Sequence, residues 1–165
     1  MFTKGFDAHV CEGDSITCEV DGFEIRATIT RDDDSTRPDA RDCGFWPSKN
    51  PLSNGYVGEN PPVPFETQMK KAQAVMDTWL ADKWFYCGVC VVVSRKGIDL
   101  TDRYSNSCWG VECNYPDSDN SHLMEVANDL LGEALAEAKA KLAELCSFYK
   151  SIDTKMKDAI TSKNS

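Results

Sequence analysis

Positive charge is scarce in this chain. Of its 165 residues, 18 are lysine or arginine against 27 aspartate or glutamate, a formal net charge of −9. A general nucleic-acid binder, or a protein drawn to anionic lipid, needs the opposite balance. Histidine is scarcer still, with only His9 and His122, so a cysteine nucleophile has almost no base to activate it. No apolar run approaches the ~20 residues of a membrane-spanning helix. Glycine-rich phosphate loops and helical zinc-protease histidine pairs are both missing. Met1 to Val10 carries Lys4, Asp7 and His9 in place of the apolar stretch of a secretion signal. The expectation is a cytosolic protein whose eight cysteines are mostly thiols.

What is present fits a globular domain, with 41% hydrophobic and 27% charged residues. The acidity is uneven. Met1 to Glu66 holds 6 basic and 13 acidic residues, a net −7, while Thr67 to Asn120 and Ser121 to Ser165 are each −1. Asp32, Asp33 and Asp34 are the densest point.

Alternation and turn chemistry place the elements. Ile16, Cys18 and Val20 alternate with polar residues, as do Phe23, Ile25, Ala27 and Ile29, and Asp21-Gly22 between them is a two-residue turn sequence. That turn sets Val20 opposite Phe23, Cys18 opposite Ile25 and Ile16 opposite Ala27, all on one face. Residues 31–64 read as a long acidic, proline-rich loop, which Phe45, Trp46, Tyr56 and Val57 could pin to the body. Phe65, Met69, Ala72, Met76 and Trp79 form the stripe of a helix over about Phe65 to Asp82. Trp84 to Arg95 is apolar on both faces, as in a central strand. Lys96-Gly97 turns it back, pairing Arg95 with Ile98 and Val93 with Leu100. The return strand is irregular over Thr101 to Asn106 and resumes from Ser107 to Cys113.

Asp119, Asn120 and Ser121 are candidate caps for a last helix. Met124, Leu131, Ala138, Leu145, Ile152 and Ala159 recur every seven residues, with Leu135, Leu142, Tyr149 and Met156 between them. One long helix follows, with Leu123 to Leu145 packed on the sheet. The fold is therefore α+β: an antiparallel sheet of two hairpins with two helices, in ββαββα order, ending in a long C-terminal helix. Residues 1–148 form the domain and 149–165 a helical extension or tail.

The cysteines are the natural candidates for chemistry. Cys87-Gly88-Val89-Cys90 has the gap of a zinc knuckle or redox dithiol. On a strand, however, Cys87 points with Val89 and Val91, and Cys90 with Tyr86 and Val92, so the sulfurs diverge. Cys108 and Cys113 diverge likewise unless a bulge intervenes. Cys87, Cys90, Cys108 and Cys113 read as small packed side chains, with no metal or cofactor expected; a cross-strand site with Cys11, Cys18 or Cys43 is the variant of the metal reading. A calcium loop from Asp32 would need Gly and Glu where Arg37 and Cys43 stand, and one from Asp117 has His122 and Asn128 there. Gly110 beside Trp109 marks a bulge or close packing, and Trp109 reads as a core corner. No catalytic residues emerge.

Gly88-Val89 through Arg95-Lys96-Gly97, then Trp109-Gly110-Val111-Glu112, then Leu123-Met124-Glu125-Val126-Ala127-Asn128-Asp129-Leu130-Leu131 with Glu133-Ala134-Leu135, together with Phe23-Glu24-Ile25, resemble a family of small acidic proteins from bacteriophages and bacterial mobile elements. The resemblance implies a setting, the cytoplasm of a bacterial host, and no activity. With the residue reading it leads to a non-enzymatic protein-binding module that engages, and in the narrower form inhibits, a host defence protein. The contact residues are Asp32, Asp33, Asp34 and Trp46 in the loop and Tyr149, Ile152 and Met156 on the last helix. DNA mimicry is a variant, weakened by lysines and arginines interspersed among the carboxylates. The alternatives are a zinc- or thiol-dependent small enzyme, and a structural protein that assembles as a homodimer through the C-terminal helix. Direct contact with nucleic acid or membrane is not expected.

Overall fold

Two tight turns set the frame. Asp21 and Gly22 take φ of 55° and 74°, and Lys96 and Gly97 take 53° and 75°, the doubly left-handed geometry that matches strand twist in a two-residue hairpin. The computed structural model describes the backbone of residues 1–40 and 64–163 and side chains through 155.

The first turn joins β1 (Ser15–Val20) to β2 (Phe23–Arg31) in the expected register, with Val20 opposite Phe23, Cys18 opposite Ile25 and Ile16 opposite Ala27. A 3-10 turn at Pro38–Ala40 and helix α1 (Phe65–Leu80) precede β3 (Phe85–Arg95). The excursion leaves and re-enters at one end of the sheet, where the Asp32 amide donates to the Tyr86 carbonyl at 2.9 Å. β3 therefore lies antiparallel to β2, with Ile25 opposite Val93 and Ile29 opposite Val89. Its other edge takes β4 (Ile98–Asp99) and then β5 (Ser107–Cys113), the two pieces of the interrupted return strand. The architecture is α+β, one five-stranded antiparallel sheet with a long C-terminal helix, α2 (Ser121–Lys163).

Alternation gives the sheet two unlike faces. Ile16, Phe23, Ile25, Ala27, Ile29, Phe85, Cys87, Val89, Val91 and Val93 lie on the side of α2, which presents Leu123, Ala127, Ala134 and Ala138, all fully buried. Alanines at three of these contacts leave short side chains between helix and strands. Each larger aliphatic side chain so removed from water contributes ~1.5–3 kcal/mol. Phe2 and Val10 complete this core. α1 buries Gln68, Ala72 and Met76 but leaves Phe65 49% and Met69 45% exposed, so its expected stripe is buried only in part. It is tied to the sheet through the Trp84 indole, which donates to the Val75 carbonyl at 3.0 Å.

The N-terminal segment is held by asparagines. Asn114 accepts from the Val10 amide at 2.9 Å and donates to its carbonyl at 2.8 Å. Asn120 donates to the Ala8 carbonyl at 3.0 Å and accepts from the Asn114 amide at 2.9 Å. Asn128 accepts from the Phe2 amide at 2.8 Å and donates to its carbonyl at 3.3 Å. Asn114 and Asn120 adopt φ of 59° and 60°, a region asparagine tolerates better than most residues. Asn120 thus turns its side chain to this clasp, and the exposed Asp119 accepts from the Ser121 amide at 2.9 Å. Among the described residues no helix is long and apolar enough to cross a membrane.

Candidate functional site

Three features stand outside the packed core. The first is the end of α2. Leu142 and Leu145 are its last side chains packed against the core, and every described residue from Cys146 to Lys155 is exposed. The helix continues to Lys163, ~27 Å further at 1.5 Å per residue. The 4,3 spacing of Leu142 and Leu145 continues through Tyr149 and Ile152, which are 68% and 37% exposed. Phe148, 59% exposed, meets the Tyr149 ring edge-on at 6.1 Å. The core-facing stripe thus carries on beyond the surface it packs against. The side chains of Met156 and Ile160 lie outside the described residues.

The second feature is the acidic run, which is not a bare block of charge. Asp32 accepts from the Ser35 hydroxyl at 2.8 Å, Asp33 lies 3.5 Å from the Arg31 guanidinium, and Arg31 also binds Asp82. Asp34 is exposed. The run follows the end of β2, whereas the exit of α2 lies near the β1–β2 turn, where Lys139 binds Asp21 at 2.9 Å. The nine residues of β2 separate the two, ~30 Å at 3.3 Å per residue. The structure therefore does not bring Asp32 to Asp34 together with Tyr149 and Ile152. Trp46, with Phe45, Tyr56 and Val57, lies outside the described residues.

The third feature, not anticipated from sequence, is the face of the sheet away from α2. Cross-strand register lays it out in rows. Glu19, Glu24 and Ser94 form the row nearest the β1–β2 turn, followed by Thr17, Arg26 and Val92, then Ser15, Thr28 and Cys90, then Thr30 and Gly88. Over Gly88 lies the ring of Trp109. A Cβ on Gly88 would meet Trp109 Cε3 at 2.5 Å, so only glycine admits the ring there. Trp109 is 44% exposed and stands beside Tyr104, 48% exposed, with ring centroids 5.9 Å apart. Its indole donates to the Ser107 hydroxyl at 2.8 Å. The expected core corner over Gly110 is thus an exposed ring over Gly88. Gly110, at φ 74°, marks instead the bulge between the Cys87–Val111 and Val89–Cys108 pairs.

That bulge also resolves the cysteines. Cys87 sits in the core and Cys90 on the opposite face, its thiol 3.8 Å from the Thr30 hydroxyl. The extra residue in β5 places Cys108 opposite Val89 and Cys113 opposite Phe85, on one side of the sheet. Cys87 and Cys113 are both fully buried. A hydrogen bond with Cys113, reinforced by burial, pushes the Cys87 thiol well above the ordinary cysteine range. Burial raises the Cys90 thiol as well. Buried neutral thiols of this kind are poor nucleophiles. Among the described residues no three His, Cys, Asp or Glu side chains converge to hold a metal ion. His122 Nε2 is 2.8 Å from the Glu112 carbonyl oxygen. Cys43 lies outside the described residues. Neither a protein-family model, nor a curated protein, nor a solved structure matches this chain.

Proposed function

We propose that this chain is a non-enzymatic protein-binding module that engages its partner through the projecting part of α2. The observation that carries this reading is the continuation of the packed apolar stripe past Leu145 into Phe148, Tyr149 and Ile152, all exposed. A helix presenting apolar side chains at three- and four-residue spacing suits an apolar groove on another protein. Residues 146–165 carry four lysines and two aspartates, so the matching groove has a carboxylate rim. The resemblance to phage and mobile-element proteins supplies the setting, in which the partner is a host protein, a defence component in the narrower form.

A second copy of the chain is the less favoured occupant. The flanking positions Lys141, Phe148 and Lys155 on one side, and Lys139, Cys146 and Asp153 on the other, lack the opposite-charge pattern that specifies pairing. The test is recovery of a partner from bacterial lysate by the immobilised full chain and by the Tyr149→Lys/Ile152→Lys variant. Both positions are exposed, so the variant keeps the fold, checked by circular dichroism. The expected result is one protein held by the parent, released by salt and lost with the variant. Equal recovery by both would contradict the reading, and a stable dimer of the parent that the variant dissociates would transfer it to self-assembly.

A further inference from the structure

The open sheet face is a second surface, on the side of the sheet away from α2. Two shallow clefts of about 300 and 470 Å³ run along it and share Arg26, Val92 and Asp99. The first is lined by Ser15, Arg26, Thr28, Cys90, Asp99 and Arg103, among others, and its volume sits at the small end of ligand sites. Among the described residues neither Arg26 nor Arg103 has an ion-pair partner, and the Arg103 guanidinium lies 5.2 Å from the centre of the Tyr104 ring, within cation–π reach. Two guanidinium groups without carboxylate partners on one cleft, beside the hydroxyls of Ser15 and Thr28, form a donor set suited to a phosphate.

The neighbouring positions define the rest of the ligand. Gly88 is two residues from Cys90 on the same face, ~7 Å along the strand, and it carries the Trp109 ring. Tyr104 links that ring to Arg103. A planar group thus has an aromatic ledge adjoining the arginine cleft, and planar bases stack on such rings irrespective of sequence. The other end of the trough is acidic: Glu19 and Glu24 line the second cleft, and Asp99 lies where the two clefts meet. These carboxylates oppose a second or third phosphate beyond the arginines. We propose that this trough binds a nucleoside monophosphate, with its base on Trp109 and Tyr104 and its phosphate between Arg26 and Arg103.

Calorimetric titration of the full chain with AMP, adenosine, ATP and a short single-stranded oligoadenylate tests this. AMP is expected to bind, adenosine to bind at least tenfold more weakly, and ATP to bind no more tightly than AMP. Arg26→Gln, at an exposed position, should lower AMP affinity about tenfold or more, as expected for one lost charge-assisted hydrogen bond; Arg103→Gln should do the same. The Tyr149→Lys/Ile152→Lys variant should bind AMP like the parent, which separates this site from the partner surface. Failure of AMP to bind, equal binding of adenosine, unchanged affinity in Arg26→Gln, or tighter binding of the oligoadenylate would each overturn the proposal.

Discussion

Replacing Asn120 with alanine should unlatch the N-terminal segment. Asn120 is 1% exposed, and its side chain donates to the Ala8 carbonyl at 3.0 Å and to Asn114 Oδ1 at 2.9 Å while accepting from the Asn114 amide at 2.9 Å. Alanine leaves the Asn114 amide without that acceptor and the Ala8 carbonyl dependent on water. One unsatisfied buried group costs ~1–3 kcal/mol. The backbone adds to this, because φ is 60° at position 120, a region that asparagine tolerates better than alanine. The expected loss is about 3 kcal/mol, a large share of a typical ~5–15 kcal/mol. It corresponds to a fall in Tm of ~6–12 °C for a chain of this size. Asn120→Asp refines the test. It keeps an acceptor for the Asn114 amide but sets carboxylate oxygen against the Ala8 and Asn114 oxygens. That raises the folded-state pKa above the unfolded value, so the variant regains stability as pH falls through the folded value. Urea unfolding, followed by circular dichroism at pH 7 and pH 4, measures both effects. A loss below ~1 kcal/mol in Asn120→Ala, or an Asp variant less stable in acid relative to the parent than at neutral pH, would refute the clasp.

Other outcomes follow from the same contacts. Gly88→Ala should displace the Trp109 ring, shift indole fluorescence and cost ~1–3 kcal/mol by overpacking; a crystal structure with Trp109 unmoved would contradict the seat assigned to it. Alkylation of native protein with iodoacetamide, mapped by mass spectrometry, should label the exposed Cys11 and Cys146 ahead of the buried Cys87, Cys90 and Cys113. Cys87, Cys90 and Cys113 should resist until the chain is unfolded, because all three are buried, and the hydrogen bond with Cys113 further disfavours the Cys87 thiolate. Early labelling of Cys87 would contradict that arrangement.

The parts of the fold that were legible in sequence rest on local signals. Asp21-Gly22 and Lys96-Gly97 each demand positive φ, and strict alternation then leaves one register for each hairpin. The seven-residue spacing from Met124 to Ile152 likewise specifies one long helix, although the side chains it buries fully are Leu123, Ala127, Ala134 and Ala138, with Met124, Leu131 and Leu135 only partly buried. What was not legible depends on neighbours across strands. The seat of Trp109 is Gly88, on another strand, and the bulge at Gly110 sets Cys108 and Cys113 on the α2 side of the sheet while Trp109 lies on the open one. Asn114 and Asn120 read as loop and cap residues, since nothing nearby in sequence shows that their amides serve the backbone of Ala8 and Val10. The arginine cleft is assembled from residues of β1, β2, β3 and the segment after β4, none of them a motif alone. α1 departs from its pattern because only Ala72 and Met76 of its apolar stripe are fully buried.

The central claim is that the projecting stripe of α2 is the partner surface. A photo-crosslinking amino acid placed at position 152, with controls at the acidic position 34 and at position 17 on the open sheet face, tests it in living bacterial cells. The expected result is one discrete adduct from position 152 that contains a second, different protein, with no such adduct from positions 34 and 17. Adducts from position 34 alone, or from none of the three, would contradict it.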